Sequence, residues 1–399
     1  MGDKRAVMAL LLILCSVFVT LPNIGVVEAS GTVYIRFDGS VEGTDKIQCD
    51  GNVYTLTDDI YGSLVVEMDA VVVDGAGYSI EGPYVSQAQL PEGIGILVES
   101  RNNVTVSDVT VQHFMYGICI NSSSNTRIAK SRITGNSKGI FIEQSSDSII
   151  RESHITNNLV VGVYVFESSS TNIQTSIIEN NINDGICLTL SSGDSIGAIG
   201  YCAIRDNGVG IQVMNCSIPH IICQSNITNN SVGICLETSS ASVEFNNIAN
   251  NGVGVQIAGS DNDITHNNFV SNARQVHDVA WDDPDLSPSV NRWDSGEELG
   301  DTGNYWSDYN GNGETPYIID ENNQDTFPVM EPFTIPQEPW SPDSGIFTIF
   351  NMVWSLIIIC IALFLVIYFG NRMHTRKIKE QTMAPINEEQ HKTGLTAKK

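Results

Sequence analysis

A glycine followed by two alternating apolar residues returns along this chain every 21 to 25 residues. The series reads Gly95-Ile96-Leu97-Val98, Gly117-Ile118-Cys119-Ile120, Gly139-Ile140-Phe141-Ile142, Gly162-Val163-Tyr164-Val165 and Gly185-Ile186-Cys187-Leu188, and continues at Gly210, Gly233 and Gly254. A second apolar pair, five residues apart, follows in most units: Ile128 and Ile133, Ile173 and Ile178, Ile199 and Ile204, Ile222 and Ile227. Three residues later stands an asparagine: Asn136, Asn158, Asn181, Asn207, Asn230, Asn251 and Asn272. Each apolar stretch is short, alternates with period two and is rich in β-branched residues, as strands are. No window carries the i, i+3, i+4, i+7 stripe of a helix.

Short strands joined by tight turns, repeated about every 22 residues, predict an all-β fold: a right-handed parallel β-helix in which each unit is one rung. Rungs stack at ~4.8 Å. Stacking places Ile96, Ile118, Ile140, Val163, Ile186, Ile211, Ile234 and Val255 in one interior column, and the asparagines in a turn column that bonds from rung to rung. The rungs span residues 93–276, preceded by an N-terminal cap and first rungs over 30–92 and followed by an aromatic and acidic cap over 277–333. Caps are expected because an end rung otherwise leaves strands and apolar columns open to water.

Both termini read as membrane-directing segments. Lys4 and Arg5 precede an apolar run, and Val27-Glu28-Ala29 suits cleavage after Ala29, so residues 1–29 read as a signal peptide. After a Pro-containing linker over 334–345, residues 346–370 are apolar and long enough to cross a bilayer as one helix. The tail over 371–399 carries seven Lys or Arg against three Glu and is expected in the cytoplasm, with the N-terminal domain outside the cell. The whole chain has a net charge of −26, so removing the tail's +4 leaves about −30 on the exported part. That field disfavours nucleic acid as a partner.

Candidate chemistry is sparse. Glu99 and Glu143 share an outer column two rungs apart, but Asn121 lies between them and no Lys or Arg joins that column. A lyase or hydrolase needs carboxylates and a base on one face, and no such set emerges, so a non-catalytic protein is expected. Cys119, Cys187 and Cys235 also share an outward column, as free thiols too far apart to bridge. His113, His154, His220, His266 and His277 form no ligand pair. Asp308, Asn310, Asn312 and Gly313 match the first half of a Ca²⁺ loop, with Glu314 or Asp320 needed to complete it; Ca²⁺ is thus the one cofactor expectation. Trp281, Trp293 and Trp306 lie in an aromatic-dense stretch that reads either as a plug or as a glycan-stacking platform. Sequons at Asn103, Asn121, Asn215, Asn226 and Asn229 are expected N-glycosylation sites.

The cap over Asp50 to Gly62, the rungs, and the run Gly303-Asn-Tyr-Trp-Ser-Asp-Tyr309 with Thr315-Pro-Tyr317 and Phe327-Pro-Val-Met330 resemble NosD-type parallel β-helix proteins of archaeal cell surfaces, over about residues 30–333. The resemblance implies a right-handed β-helix with a sugar-binding or sugar-hydrolase-like heritage. The bacterial founders of that family are periplasmic accessories to copper-site maturation. This chain lacks a Met- or His-rich copper cluster, so copper is not expected. The expectation is a surface-exposed, membrane-anchored ectodomain with a structural or carbohydrate-binding role, facing cell-envelope glycan or a surface-layer protein. The alternatives are a polysaccharide lyase or hydrolase-like enzyme, or an accessory factor for assembly of a membrane or metalloenzyme complex.

Overall fold

The structure is a computed structural model that describes residues 31–83, 91–191, 197–216, 220–237, 240–283, 285, 289–296 and 302–336. The expected signal peptide, membrane helix and basic tail lie outside the described residues. Among the described residues no helix is long and apolar enough to cross a membrane.

The repeat folds as expected, into a right-handed parallel β-solenoid. Its strands form three long sheets of 12, 11 and 11 strands, nearly all parallel. Each rung gives one strand to the first sheet, here called the front sheet, six residues long in Tyr116–Asn121, Lys138–Glu143, Val161–Phe166 and Asp184–Thr189. Shorter strands such as Arg127–Ala129 and Arg132–Thr134 supply the other two sheets. Ile118, Ile140, Val163, Ile186, Ile211, Ile234 and Val255 pair in unbroken register and are fully buried. Burying β-branched side chains on the inner faces of all three sheets, at about 25 cal/mol per Å², is the main stabilising term.

The turns are as regular as the strands. The Asn158 amide donates to Asn181 Oδ1 (2.9 Å) and Ile133 O (3.3 Å), while its own Oδ1 accepts from Asn136 N (3.1 Å). The same pattern runs from Asn136 to Asn272. This ladder also explains the repeating glycine. A Cβ on Gly139 would lie 2.5 Å from Gly162 O and 2.9 Å from Asn158 Nδ2. Each asparagine amide therefore occupies the space that the glycine of the preceding rung leaves empty.

A second ladder was not expected from the repeat. Ser131 N donates to Ser153 Oγ, Ser153 N to Ser176 Oγ, Cys202 N to Ser225 Oγ, and Ser225 N to Asn246 Oδ1. It continues through Asn267 and Asn304 to Asp325. Cys202 takes a serine's place in this column, which is why the thiol is buried and unpaired.

At the N-terminal end the rungs begin at once, with Thr32–Ile35 parallel to Ser63–Val66. The antiparallel pair Ile47–Asp50 and Val53–Leu56 closes the second sheet. At the other end Tyr305–Trp306 adds a last strand, and Phe269, Trp306 and Tyr317 stack at 4.2 and 4.1 Å. Trp293 and Trp306 are 1% and 2% exposed, so this stretch is the plug. The chain then folds back along the third sheet, where Asn268 bonds both backbone groups of Phe333 and Asn226 donates to Pro336 O.

Candidate functional site

Side chains at three offsets of each front-sheet strand point away from the core: one before the repeat glycine, two after it and four after it. Following all three columns brings together a group of residues that the glycine-plus-four column alone does not show. Tyr116 is in register with Lys138, Cys119 with Phe141, and Phe141 with Tyr164. The Tyr116 and Phe141 rings stack at 5.2 Å, Phe141 and Tyr164 at 5.5 Å, and Phe166 tilts against Tyr164 at 6.2 Å. The result is a band of half-buried rings crossing three successive rungs of the front sheet, with Tyr164 and Phe166 on the same strand.

The Lys138 ammonium sits over this row, 5.4 Å from the Tyr116 ring, 5.0 Å from Phe141 and 4.7 Å from Tyr164. Among the described residues no carboxylate lies within 4.0 Å ion-pair reach of it. Burial pushes Lys138 below the ordinary lysine value, against the opposing fields of Cys187 and Glu143. Burial likewise raises Tyr164. Two rungs from Lys138 in the same column, Asp184 lies between Val161 and Val209 without a hydrogen-bond or ion-pair partner among the described residues. Burial alone pushes its carboxyl up to about 6. Glu143 and Glu99 flank the row in the glycine-plus-four column, with Asn121 between them bonded to Glu99 (3.1 Å).

The face is an open row and not a cavity. Two clefts, of about 590 and 270 Å³, both lie at the C-terminal end. Stacked at this spacing the rings turn their faces largely toward one another and leave an apolar strip of ring edges across successive rungs, which suits contact with the C–H surface of an extended ligand.

The residues expected to carry a site are distributed otherwise. Trp293 and Trp306 are corrected from stacking platform to plug, because their rings complete the end of the core and their indole N–H groups are held by Asn323 and Asp325. Trp281 remains 43% exposed. The Ca²⁺ candidates are engaged with separate partners. Asp308 accepts from Tyr317 OH and Gln275 Nε2, whereas Asn312 and Glu314 bond each other, and no described contact links Asn310 to them. The Tyr309 hydroxyl fills the loop, accepting from Gly313 N and donating to Thr315 O. Of the sequons, Asn103, Asn215 and Asn229 are exposed and Asn121 is half-buried. Asn226 is 7% exposed with its amide on Pro336 O, so the folded chain cannot present it to a glycosyltransferase.

Cys119, Cys187 and Cys235 do point outward, yet bulkier neighbours such as Phe141 and Tyr164 cover them, and burial pushes the thiols to about 12, 11 and 12. The Arg132, His154, Glu179 and Arg205 side chains form a connected line on the third sheet. His154 meets Arg132 at 3.0 Å and Glu179 at 2.9 Å, so both ring nitrogens are engaged. The His–Glu line is legible only by aligning the third sheet, where His154, Glu179 and Arg205 fall on neighbouring strands.

The family described as periplasmic copper-binding protein (NosD) matches residues 84–311. No curated protein sequence matches the chain. Solved structures with a similar course include the Dettilon tailspike protein, 13% identical with a TM-score of 0.43, covering 59% of this chain and 53% of its own. The mannuronan C-5 epimerase AlgE6 A-module of Azotobacter vinelandii is 12% identical, with a TM-score of 0.38 and coverage of 60% and 83%. The catalytic domain of a GH87 alpha-1,3-glucanase in complex with tetrasaccharides is 15% identical, with a TM-score of 0.41 and coverage of 60% and 62%. The chain thus spans about half the length of the tailspike it matches.

Copper, which the family description implies, does not fit the described donors. Thiols held protonated by burial are poor ligands. The Met214 sulfur accepts from Gln212, and no three His, Cys, Asp or Glu side chains among the described residues converge on a point. The match nevertheless covers more than half of the sequence, and the chain belongs to the NosD family.

Proposed function

We propose that this chain is a surface-displayed ectodomain, anchored by residues 346–370, that binds carbohydrate along the outer face of its front sheet without transforming it. The observation that carries this reading is the stacked row Tyr116, Phe141 and Tyr164, continued by Phe166. Aromatic side chains left at a water-facing sheet surface and packed on one another are a pre-organised apolar strip with little entropy left to lose on binding. The net charge of −26 supports an exterior setting by keeping the surface solvated. The test is a glycan array probed with the full chain, followed by calorimetric titration of the hits. Tyr164→Ala should weaken binding by tenfold or more while leaving the melting temperature near that of the parent. Equal affinity for parent and variant would remove the row as the binding face.

A second reading, a glycan-processing enzyme, is favoured by one observation: an amine, Lys138, and two carboxyls, Glu143 and Asp184, lie on the same outer face within three rungs. An enzyme would release new reducing ends or unsaturated products from bound oligosaccharides. Unchanged ligand after prolonged incubation supports the binding role.

A further inference from the structure

We propose that the front face selects acidic sugars, with the Lys138 ammonium, held on the Tyr116, Phe141 and Tyr164 rings without a carboxylate partner, as the anchor for a carboxylate or sulfate group. The inference rests on the glycan-binding reading above and names its ligand class. Three described lysines allow a comparison. Lys46 meets Asp58 at 3.1 Å and Lys130 meets Glu152 at 4.0 Å, both near the surface. Lys138 is half-buried, and the contacts its ammonium makes are with rings and not with a carboxylate.

The physical argument concerns what such an ammonium still lacks. Ring quadrupoles offset part of the desolvation of a half-buried cation. They leave its N–H donors, three in number on any lysine, without an oxygen acceptor. A half-desolvated cation with no protein oxygen on it gains from an anion delivered to it, because part of the desolvation is already in place before binding. A sugar laid along the ring strip passes beside the Lys138 ammonium, so one ligand meets both features. Glu143, at the other end of the same strand, and Asp184, two rungs along the column, add negative charge to this face and disfavour a second anion here.

The test uses the full chain and three probes: an oligogalacturonate, a heparin oligosaccharide and a cello-oligosaccharide, titrated calorimetrically at low and moderate salt. The expected result is tighter binding of one or both acidic probes than of the neutral one, weakening with salt. Lys138→Met keeps the stem and the ring packing; it should lose tenfold or more for acidic probes and change little for the neutral one. Lys138→Arg should restore most of the acidic binding. Preference for the oligogalacturonate assigns the carboxylate, and preference for the heparin fragment assigns the sulfate. Neutral and acidic probes bound equally, with Lys138→Met without effect, overturns the acidic preference while leaving the stacking surface standing. No binding of any probe overturns both.

Discussion

Asn158 makes the turn ladder accountable residue by residue. Its amide gives two hydrogen bonds and its oxygen receives one from Asn136 N, all out of water. Asn158→Ala strands those groups and should lower stability by about 2–4 kcal/mol, measured as a shift in denaturant midpoint. Gly139→Ala presses on the same amide from the rung before and should cost about 1–3 kcal/mol. The asparagine column was legible because its spacing from the second apolar pair is constant. Its coupling to the glycine column was not, since the contact joins neighbouring rungs and a one-dimensional pattern does not show which faces meet. Lys138 was missed for a related reason: it occupies the offset before the glycine, where Tyr, Val and Asp also occur, and no single-column pattern marks it. Asp184 gives a pH signature. Its folded carboxyl is raised to about 6 from an ordinary value of 3.8, so the folded state binds the extra proton between those values. Stability should therefore fall as pH rises from about 4 to about 6 and stay level above. Asp184→Asn should stabilise the chain at pH 7 by about 1–2 kcal/mol, allowing for partial solvent screening, and the gain should vanish below pH 4.

Among the elements, the C-terminal cap shows where spacing misleads. The run Asp308 to Gly313 has the oxygens and the glycine of half a Ca²⁺ loop, and Gly313 does adopt the left-handed conformation such a loop needs (φ +83°). The aromatic residues interleaved with it decide the outcome, because Tyr309 and Tyr317 take up the loop interior and the Asp308 carboxylate. Melting temperatures in EDTA and in millimolar CaCl₂ should therefore agree. A rise of several degrees with calcium, lost in Asp308→Ala, would reinstate the metal. The density of Trp and Tyr in this cap did announce a plug, since an open solenoid end needs large apolar volume. Which rings would be buried was settled by strand pairing: Trp306 lies on the last strand of the third sheet, next to Phe269, whereas Trp281 sits on a four-residue helix with its ring partly in water.

For the whole molecule, one continuous core runs the length of the coil, and each rung is stable only against its neighbours. Ile140→Asp places an unpaired charge in a fully buried column and should abolish cooperative folding, seen as loss of the thermal transition. The fold was legible in the sequence because its repeat is its architecture. The front face was not, because a binding surface on a solenoid is assembled from single residues contributed by successive rungs, each ordinary in its own strand. The account's central claim concerns that face. Calorimetric titration of the full chain with glycan-array hits, for the parent and for Tyr164→Ala, tests it most directly. The account predicts saturable binding by the parent and a loss of at least tenfold in a variant that still melts cooperatively. Parent chains that bind no glycan, or a folded variant that binds as well as the parent, would contradict it.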